Sequence, residues 1–365
     1  MATILVLGGA GTFGRLACAD LLVRTRHDVA VASRAGVPAD AWLPGSEGRL
    51  TSHRVDATDL GALRALVGRL APAVIANATG PYALVGDAPL RAAIDARTPY
   101  VDLCPRSDLY AALAERHRAA VEAAGVPCVL GASTIGGITG TLTRRARARL
   151  PSLSRVRTYL SVHNFAWGSS TVADYLLAAN QVLPGGRRLG ADPEVVHFPG
   201  LGRRVTVLGD SLEYLPGVEG LVADTEHRFG LDTALTRFGM RGSLALSRLG
   251  VPLWRFGAFL GRAAGWLGGS RTEGGLLHRA FGEGPEGKGV YETHVLRPFG
   301  NIRNPALLFA LAAARLADGE SPGAGLVHPA TLMDPERLVD ELRARANVVT
   351  ERFVPEGQPP DAEHA

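Results

Sequence analysis

Lysine is almost absent from this 365-residue chain: Lys288 is the single one among 39 basic residues. A Schiff base or a lysine general base would have to be Lys288, which lies in the glycine-rich stretch 284–289 and reads as loop. Catalysis by a Tyr-x-x-x-Lys pair is excluded, because the residue four before Lys288 is Gly284. Cysteine is scarce as well. Cys18, Cys104 and Cys128 form neither a disulfide framework nor a metal-ligand spacing, and an odd thiol count fits a reducing, cytoplasmic setting. The ten histidines add no ligand-spaced pair with a supporting carboxylate, so no metal is expected. No apolar run reaches the ~18 uncharged residues of a spanning helix. The apolar start of the chain is strand-length and is cut by Gly8 and Gly9, unlike a secretory signal. Arginine is spread without a basic block or interleaved aromatics, so a net charge of +4 gives no case for a nucleic-acid partner.

With 46% hydrophobic and 20% charged residues, the composition is that of a soluble globular protein long enough for two cored domains. Its organising stretch is residues 3–34. Residues 4–7 are an apolar strand-like run, and after Gly14 the apolar spacing becomes helical through Leu16, Ala17, Ala19, Leu21 and Leu22. Between them lies Gly9-x-Gly11-x-x-Gly14. The first glycine permits a sharp turn, the second leaves room for a pyrophosphate, and the third lets helix pack closely on strand. Thr12 and Phe13 open the helix, whose N–H groups and positive dipole end suit phosphate. A second strand follows at 28–33 and ends in Ala32-Ser33-Arg34, with no acid before Asp40. An acid there would accept from a ribose 2′-hydroxyl, whereas a hydroxyl and a guanidinium hold a 2′-phosphate, so Ser33 and Arg34 point to NADP(H).

Strand–helix alternation continues: a strand at 50–55, a helix from the N-cap Asp59 to Leu70, a strand at 73–78, a helix at 87–96, a strand at 100–103, a helix at 107–124 and a strand at 127–130. These are parallel βαβ units with expected order 3-2-1-4-5-6 and a ligand crevice at the carboxyl ends. Asp56 and Ala57 are expected near the adenine, and Asn77, Thr79, Gly80 and Pro81 near the nicotinamide.

The run Asn77-Ala78-Thr79-Gly80-Pro81-Tyr82-Ala83-Leu84-Val85-Gly86, with Ala92-Ala93-Ile94-Asp95-Ala96 and Tyr100-Val101-Asp102-Leu103, resembles the saccharopine dehydrogenase/reductase-like oxidoreductases. The resemblance covers residues 1–132 and returns at 304–317 and 332–344. It implies an α/β fold: a Rossmann dinucleotide-binding domain (1–132, completed by helices within 303–352) with an inserted α+β substrate and dimerisation domain (133–302). It also implies a homodimer. Where the family tends to carry a Gly-x-Asp-Pro-Gly-x-x-Asp-like segment, this chain reads Gly131-Ala132-Ser133-Thr134-Ile135-Gly136-Gly137-Ile138-Thr139-Gly140, without either acid, which implies a less polar substrate. The N-terminal fingerprint is also similar to that of the trans-acting enoyl reductases of lipid and polyketide pathways.

In the middle, residues 155–162 read as a strand running into His163-Asn164-Phe165-Ala166-Trp167, followed by a helix at 172–182, short strands at 195–198 and 204–208, and a strand at 289–296. On alternation His294 points away from Tyr291, Thr293 and Val295. Residues 229–268 are apolar and punctuated by arginine. They read first as two amphipathic helices burying a face on the domain or a dimer partner, and second as a membrane-surface or lipid-substrate face. Residues 353–365 read as a disordered tail.

Hydride transfer needs little from side chains, but a ketone or alkene acceptor also needs a proton. His163 is the first candidate donor. Tyr82 is the second, with a packing role as its alternative, and Cys104 is placed to line the nicotinamide pocket. The expectation is an NADP(H)-dependent, dimer-forming biosynthetic reductase of a C=N, C=O or C=C bond in a small or medium-sized substrate. The alternatives are a non-catalytic NADP-binding sensor and an enoyl reductase handling acyl chains at a membrane surface.

Overall fold

The computed structural model describes the chain apart from residues 37–47, 105, 163–168, 215–219, 232, 268–272, 298–302, 321–322 and 359–365. First come β1 (Thr3–Leu7), α1 (Thr12–Arg24), β2 (Asp28–Ser33), β3 (Leu50–Arg54), α2 (Leu60–Leu70), β4 (Val74–Asn77), α3 (Tyr82–Val85), α4 (Ala88–Asp95), β5 (Tyr100–Asp102), α5 (Ser107–Ala124) and β6 (Pro127–Val129). Then follow α6 (Thr139–Arg149), β7 (Arg155–Val162), α7 (Ser169–Leu177), β8 (Glu194–Phe198), β9 (Gly202–Leu208), β10 (Asp224–Leu231), α8 (Ala234–Arg248), α9 (Gly257–Leu267), β11 (Gly274–Gly284) and β12 (Gly287–Arg297). The last elements are α10 (Arg303–Ala317), β13 (Gly325–Val327), α11 (Pro335–Ala344) and β14 (Val348–Pro355).

The chain divides into two units, Met1–Gly137 with Arg303–Leu332, and Ile138–Ile302 with Met333–Ala365. In the first, a parallel seven-stranded sheet has the order β13-β6-β5-β4-β1-β2-β3, the expected 3-2-1-4-5-6 extended by β13. Its strands are short and apolar because both faces are covered. Ile4, Val6, Val29, Val31 and Val101 face α1 and α10, while Leu5, Leu7, Ile75 and Tyr100 face α2, α4 and α5. Asp59 caps α2 by accepting from the Ala62 N–H at 3.0 Å, as its position before the apolar face requires.

The second unit carries a mixed sheet, β14-β12-β11-β7-β10-β9-β8, in which β7 and β10 are parallel and the other neighbours antiparallel. Ala146 and Leu150 of α6 pack on Val156, Ala280 and Tyr291. Beside that cluster lies a buried polar row, with Thr158, His278 and Thr293 in register across β7, β11 and β12. Thr143 Oγ1 of α6 lies 3.1 Å from the Thr139 carbonyl and 2.9 Å from His278 Nε2, tying α6 to the row.

Several expectations change. Lys288 lies on β12, not in a loop: β11 and β12 form one long hairpin. Residues 333–355 fold with the second unit, where α11 packs on α6 and β14 pairs with β12, whereas the sequence reading joined 333–352 to the first. Residues 353–355 accordingly end a strand rather than begin a tail, and 359–365 lie outside the described residues. The helix read at 172–182 is α7, shifted toward the N-terminus. The helix pair within 229–268 is present as α8 and α9, packed on α7, but α8 turns its apolar stripe outward.

Candidate dinucleotide-binding site

The loop from β1 to α1 shows which glycines the geometry needs. Gly8, which the motif omits, makes the turn with φ +71°, and a Cβ there would lie 2.8 Å from the Ala78 carbonyl. Gly9 serves a different purpose from the one its motif position suggests: its Cβ would meet the Val31 side chain at 2.8 Å. A Cβ on Gly14 would come within 2.3 Å of the Gly8 oxygen, so the third glycine lets α1 start against the loop itself. Gly11 is the N-cap of α1, no side chain caps it, and the first turn carries no acid. By helix geometry the N–H groups of Thr12 and Phe13 have no acceptor within the helix. A helix start of this kind suits an anion such as a diphosphate.

At the end of β2, Ser33 Oγ is buried without a hydrogen-bond partner. Arg34 follows it, and Arg54 of β3 stands opposite Ser33 in the strand register, both guanidinium side chains being exposed. A shielded hydroxyl beside two exposed arginines is a donor set for an anion. Asp56 is exposed. Its Oδ1 accepts from the Thr58 N–H at 2.9 Å and the Thr58 hydroxyl at 2.8 Å, bonds that together with the nearby Arg34 hold its pKa below the usual carboxylate value. Ala57 beside it is buried.

The carboxyl ends of β4 and β5 are tied by a buried chain of hydrogen bonds. Asn77 Oδ1 accepts from the Thr79 N–H at 3.0 Å and from the Thr79 hydroxyl, while Nδ2 donates to the Tyr100 hydroxyl at 2.9 Å. Tyr100 donates to Asp102 Oδ2 at 3.2 Å, and Asp102 Oδ1 accepts from the N–H groups of Cys104 (3.0 Å) and Gly131 (2.7 Å). Burial pushes the Asp102 carboxyl up to about 6, against the lowering effect of these bonds. Tyr82, after the cis Gly80–Pro81 bond, donates to the Asn77 carbonyl at 3.0 Å and accepts from the Leu103 N–H at 3.0 Å. Its proton is thus engaged in bracing β4 to β5. A cavity of about 230 Å³ is lined by Asn77, Tyr82, Tyr100, Asp102 and Cys104 together with Leu90 and Leu113.

Asn304 was read only as the start of a closing helix. It is 1% exposed, and neither its amide oxygen nor its amide nitrogen has a hydrogen-bond partner. α10 packs on β1, β4 and β5 and leads into β13, which runs parallel to β6. A helix between parallel strands runs against them, which opens its N-terminus at the carboxyl edge of the sheet. No local pattern marks Asn304. Arg54 was missed for a similar reason, since only the pairing of β3 with β2 places it. His163 lies outside the described residues, immediately after β7. In the second unit Glu213 is buried, its Oε1 has no partner, and burial raises its pKa to about 7 despite hydrogen bonds with Thr139 and Ser211.

Residues 4–129 match the family model of the saccharopine dehydrogenase NADP binding domain. The first unit thus carries a stretch similar to that domain. The saccharopine dehydrogenase-type domain accounts for the glycine cradle, and its cofactor is a nicotinamide dinucleotide. No curated protein matches the chain in sequence. Among solved structures, apo saccharopine dehydrogenase (L-Glu forming) of Saccharomyces cerevisiae is similar with a TM-score of 0.66 at 14% identity, over 97% of this chain and 100% of that one. Homospermidine synthase of Legionella pneumophila, solved in complex with NAD, is similar with a TM-score of 0.62 at 10% identity, over 97% and 91%. The shared fold therefore extends beyond the saccharopine dehydrogenase-type domain to nearly the whole chain. Among the described residues no helix is long and apolar enough to cross a membrane, and no group of His, Cys, Asp or Glu side chains is placed to hold a metal ion.

Proposed function

We propose that this protein is a cytoplasmic NADP(H)-dependent oxidoreductase, acting in biosynthesis on a C=N, C=O or C=C bond of a small or medium-sized organic substrate. The observation that carries the cofactor choice is the unpartnered Ser33 Oγ beside Arg34 and Arg54, with no acid at the end of β2. A 2′-phosphate satisfies that hydroxyl and both guanidinium groups, whereas a 2′-hydroxyl leaves the charges unused. The cradle of Gly8, Gly9, Gly11 and Gly14 with the start of α1 holds the diphosphate, and the Asn304 amide is suited to hold a carboxamide. The nicotinamide, when bound, supplies the hydride.

The engaged Tyr82 proton favours a C=N acceptor, because a preformed iminium needs no donor. For a C=O or C=C acceptor the donor is assigned to His163. His163→Gln then lowers turnover and leaves NADPH affinity intact; an unchanged rate removes it from the mechanism. The family resemblance adds homodimerisation, which light scattering checks.

The deciding experiment titrates the protein with NADPH and NADH while following nicotinamide fluorescence. Tight binding of NADPH alone is expected. A preference for NADH overturns the assignment to Ser33, Arg34 and Arg54 and spares the fold, and binding of neither overturns the enzymatic reading.

A further inference from the structure

We propose that α8 and α9 dock this protein onto an anionic phospholipid bilayer. On α8, Leu235, Phe238, Leu246 and Leu249 recur at spacings that share one helix face, and that face is turned to solvent: Phe238 is 77% and Leu249 81% exposed. The opposite side, with Thr236 and Leu244, is the one buried. Phe256, 58% exposed, and Phe259, 62% exposed, extend the apolar surface into α9. A helix stabilised by its own core contacts would be turned the other way round.

Charge selects the occupant. Residues 233–272 hold six arginines and no acid, while the other 325 residues hold 33 basic and 35 acidic ones. The entire positive excess of the protein thus lies in this segment. Arg237, Arg241 and Arg248 lie along α8 beside the apolar stripe; Arg241 is exposed, while Arg237 donates to the Leu231 carbonyl at 3.1 Å and Arg248 to the Ala179 and Leu189 carbonyls at 2.9 and 2.6 Å. A cleft of about 890 Å³ runs there, lined by these arginines together with Phe238. Asp192 also lines it, but its carboxylate is already bound by Arg228 at 2.6 Å. An apolar stripe flanked by guanidinium groups matches a layer of acyl chains beneath phosphate headgroups. A second copy of the chain fits less well: a two-fold contact lays the same patch on itself and sets arginine against arginine with no acid in the segment.

The test floats the full chain with phosphatidylcholine vesicles, with and without phosphatidylglycerol, at low and at physiological salt. The expected result is flotation with the anionic vesicles only, stronger at low salt. Arg241→Gln with Arg255→Gln should weaken the partition about thirtyfold at low salt. Phe238→Ser with Leu249→Ser should abolish it at physiological salt, with the circular dichroism and the NADPH titration unchanged. Flotation with neither vesicle, or equally with both, overturns the proposal. So does a dimer that the Phe238→Ser, Leu249→Ser variant splits in the absence of any flotation, which would make a second copy the occupant. None of these outcomes touches the dinucleotide reading, which is checked separately by the NADPH titration.

Discussion

In the first unit, Asn77, Tyr100 and Asp102 pass hydrogen bonds along the carboxyl ends of β4 and β5, and the carboxyl group at the end of the chain accepts from three donors. In the second, Thr158, His278 and Thr293 are equally buried in mid-sheet, yet Thr158 Oγ1 has no partner and His278 leans on the single hydroxyl of Thr143. Burial also acts on different groups. In the first unit it raises an acid, Asp102 to about 6. In the second it raises Glu213 to about 7 and lowers three histidines, His227 to about 3 and His278 and His294 to about 4. The comparison separates polar groups that brace a ligand edge from polar groups that hold a sheet together only while they stay neutral.

The largest expected effect follows from those signs. A histidine whose folded pKa lies below its unfolded value near 6.5 binds its proton preferentially in the unfolded chain, so its stabilising contribution is complete above that value and is lost as pH falls toward the folded pKa. Each of the three histidines should cost the second unit about 3 kcal/mol by pH 4. Asp102 and, in the second unit, Glu213 have the opposite sign: their folded pKa values are raised, so their contributions are full below the ordinary carboxylate values and are lost as pH rises through about 6 and about 7, and Glu213 offsets about one of the three histidines. Calorimetry between pH 7 and pH 4.5 should therefore show the melting transition splitting, with the second unit melting first at the acidic end. A single transition that keeps its midpoint would sink the comparison.

Ligand binding should sharpen the same contrast. NADPH binds only the folded first unit in this reading, so it should raise that unit's transition and leave the other in place. Arg34→Ala or Arg54→Ala should weaken NADPH about tenfold each, through loss of one charge-assisted bond, and change NADH little. Equal losses for both dinucleotides would refute the role of these arginines at the end of β2.

What could be read in advance follows the range of the signals. The first sheet and its order were legible because each strand, turn and helix start is marked by neighbouring residues, from the glycine motif to the Asp59 cap. Gly8 was not, because the need for a positive φ there depends on where Ala78 lies. β11 was hidden by its four glycines. Their reason is tertiary: a Cβ on Gly284 would come within 2.2 Å of the Arg149 oxygen, and one on Gly282 within 2.7 Å of the Ser152 oxygen. β14 looked like part of a closing segment until its partner β12 was known. The amphipathic pattern of α8 was visible, but periodicity does not say which face meets the core.

The smallest effect tests the bracing itself. Tyr82→Phe removes the hydroxyl between the Asn77 carbonyl and the Leu103 N–H and leaves the ring in its packed position. Two backbone groups lose a partner, so the first unit's transition should fall by about 1–2 kcal/mol while the second unit's stays where it is. If Tyr82 only braces β4 to β5, single-turnover hydride transfer at saturating NADPH should keep its rate and its pH profile. A large loss of that rate without a loss of stability would instead mean that the proton held on the Asn77 carbonyl is released to substrate during turnover, returning Tyr82 to the chemistry.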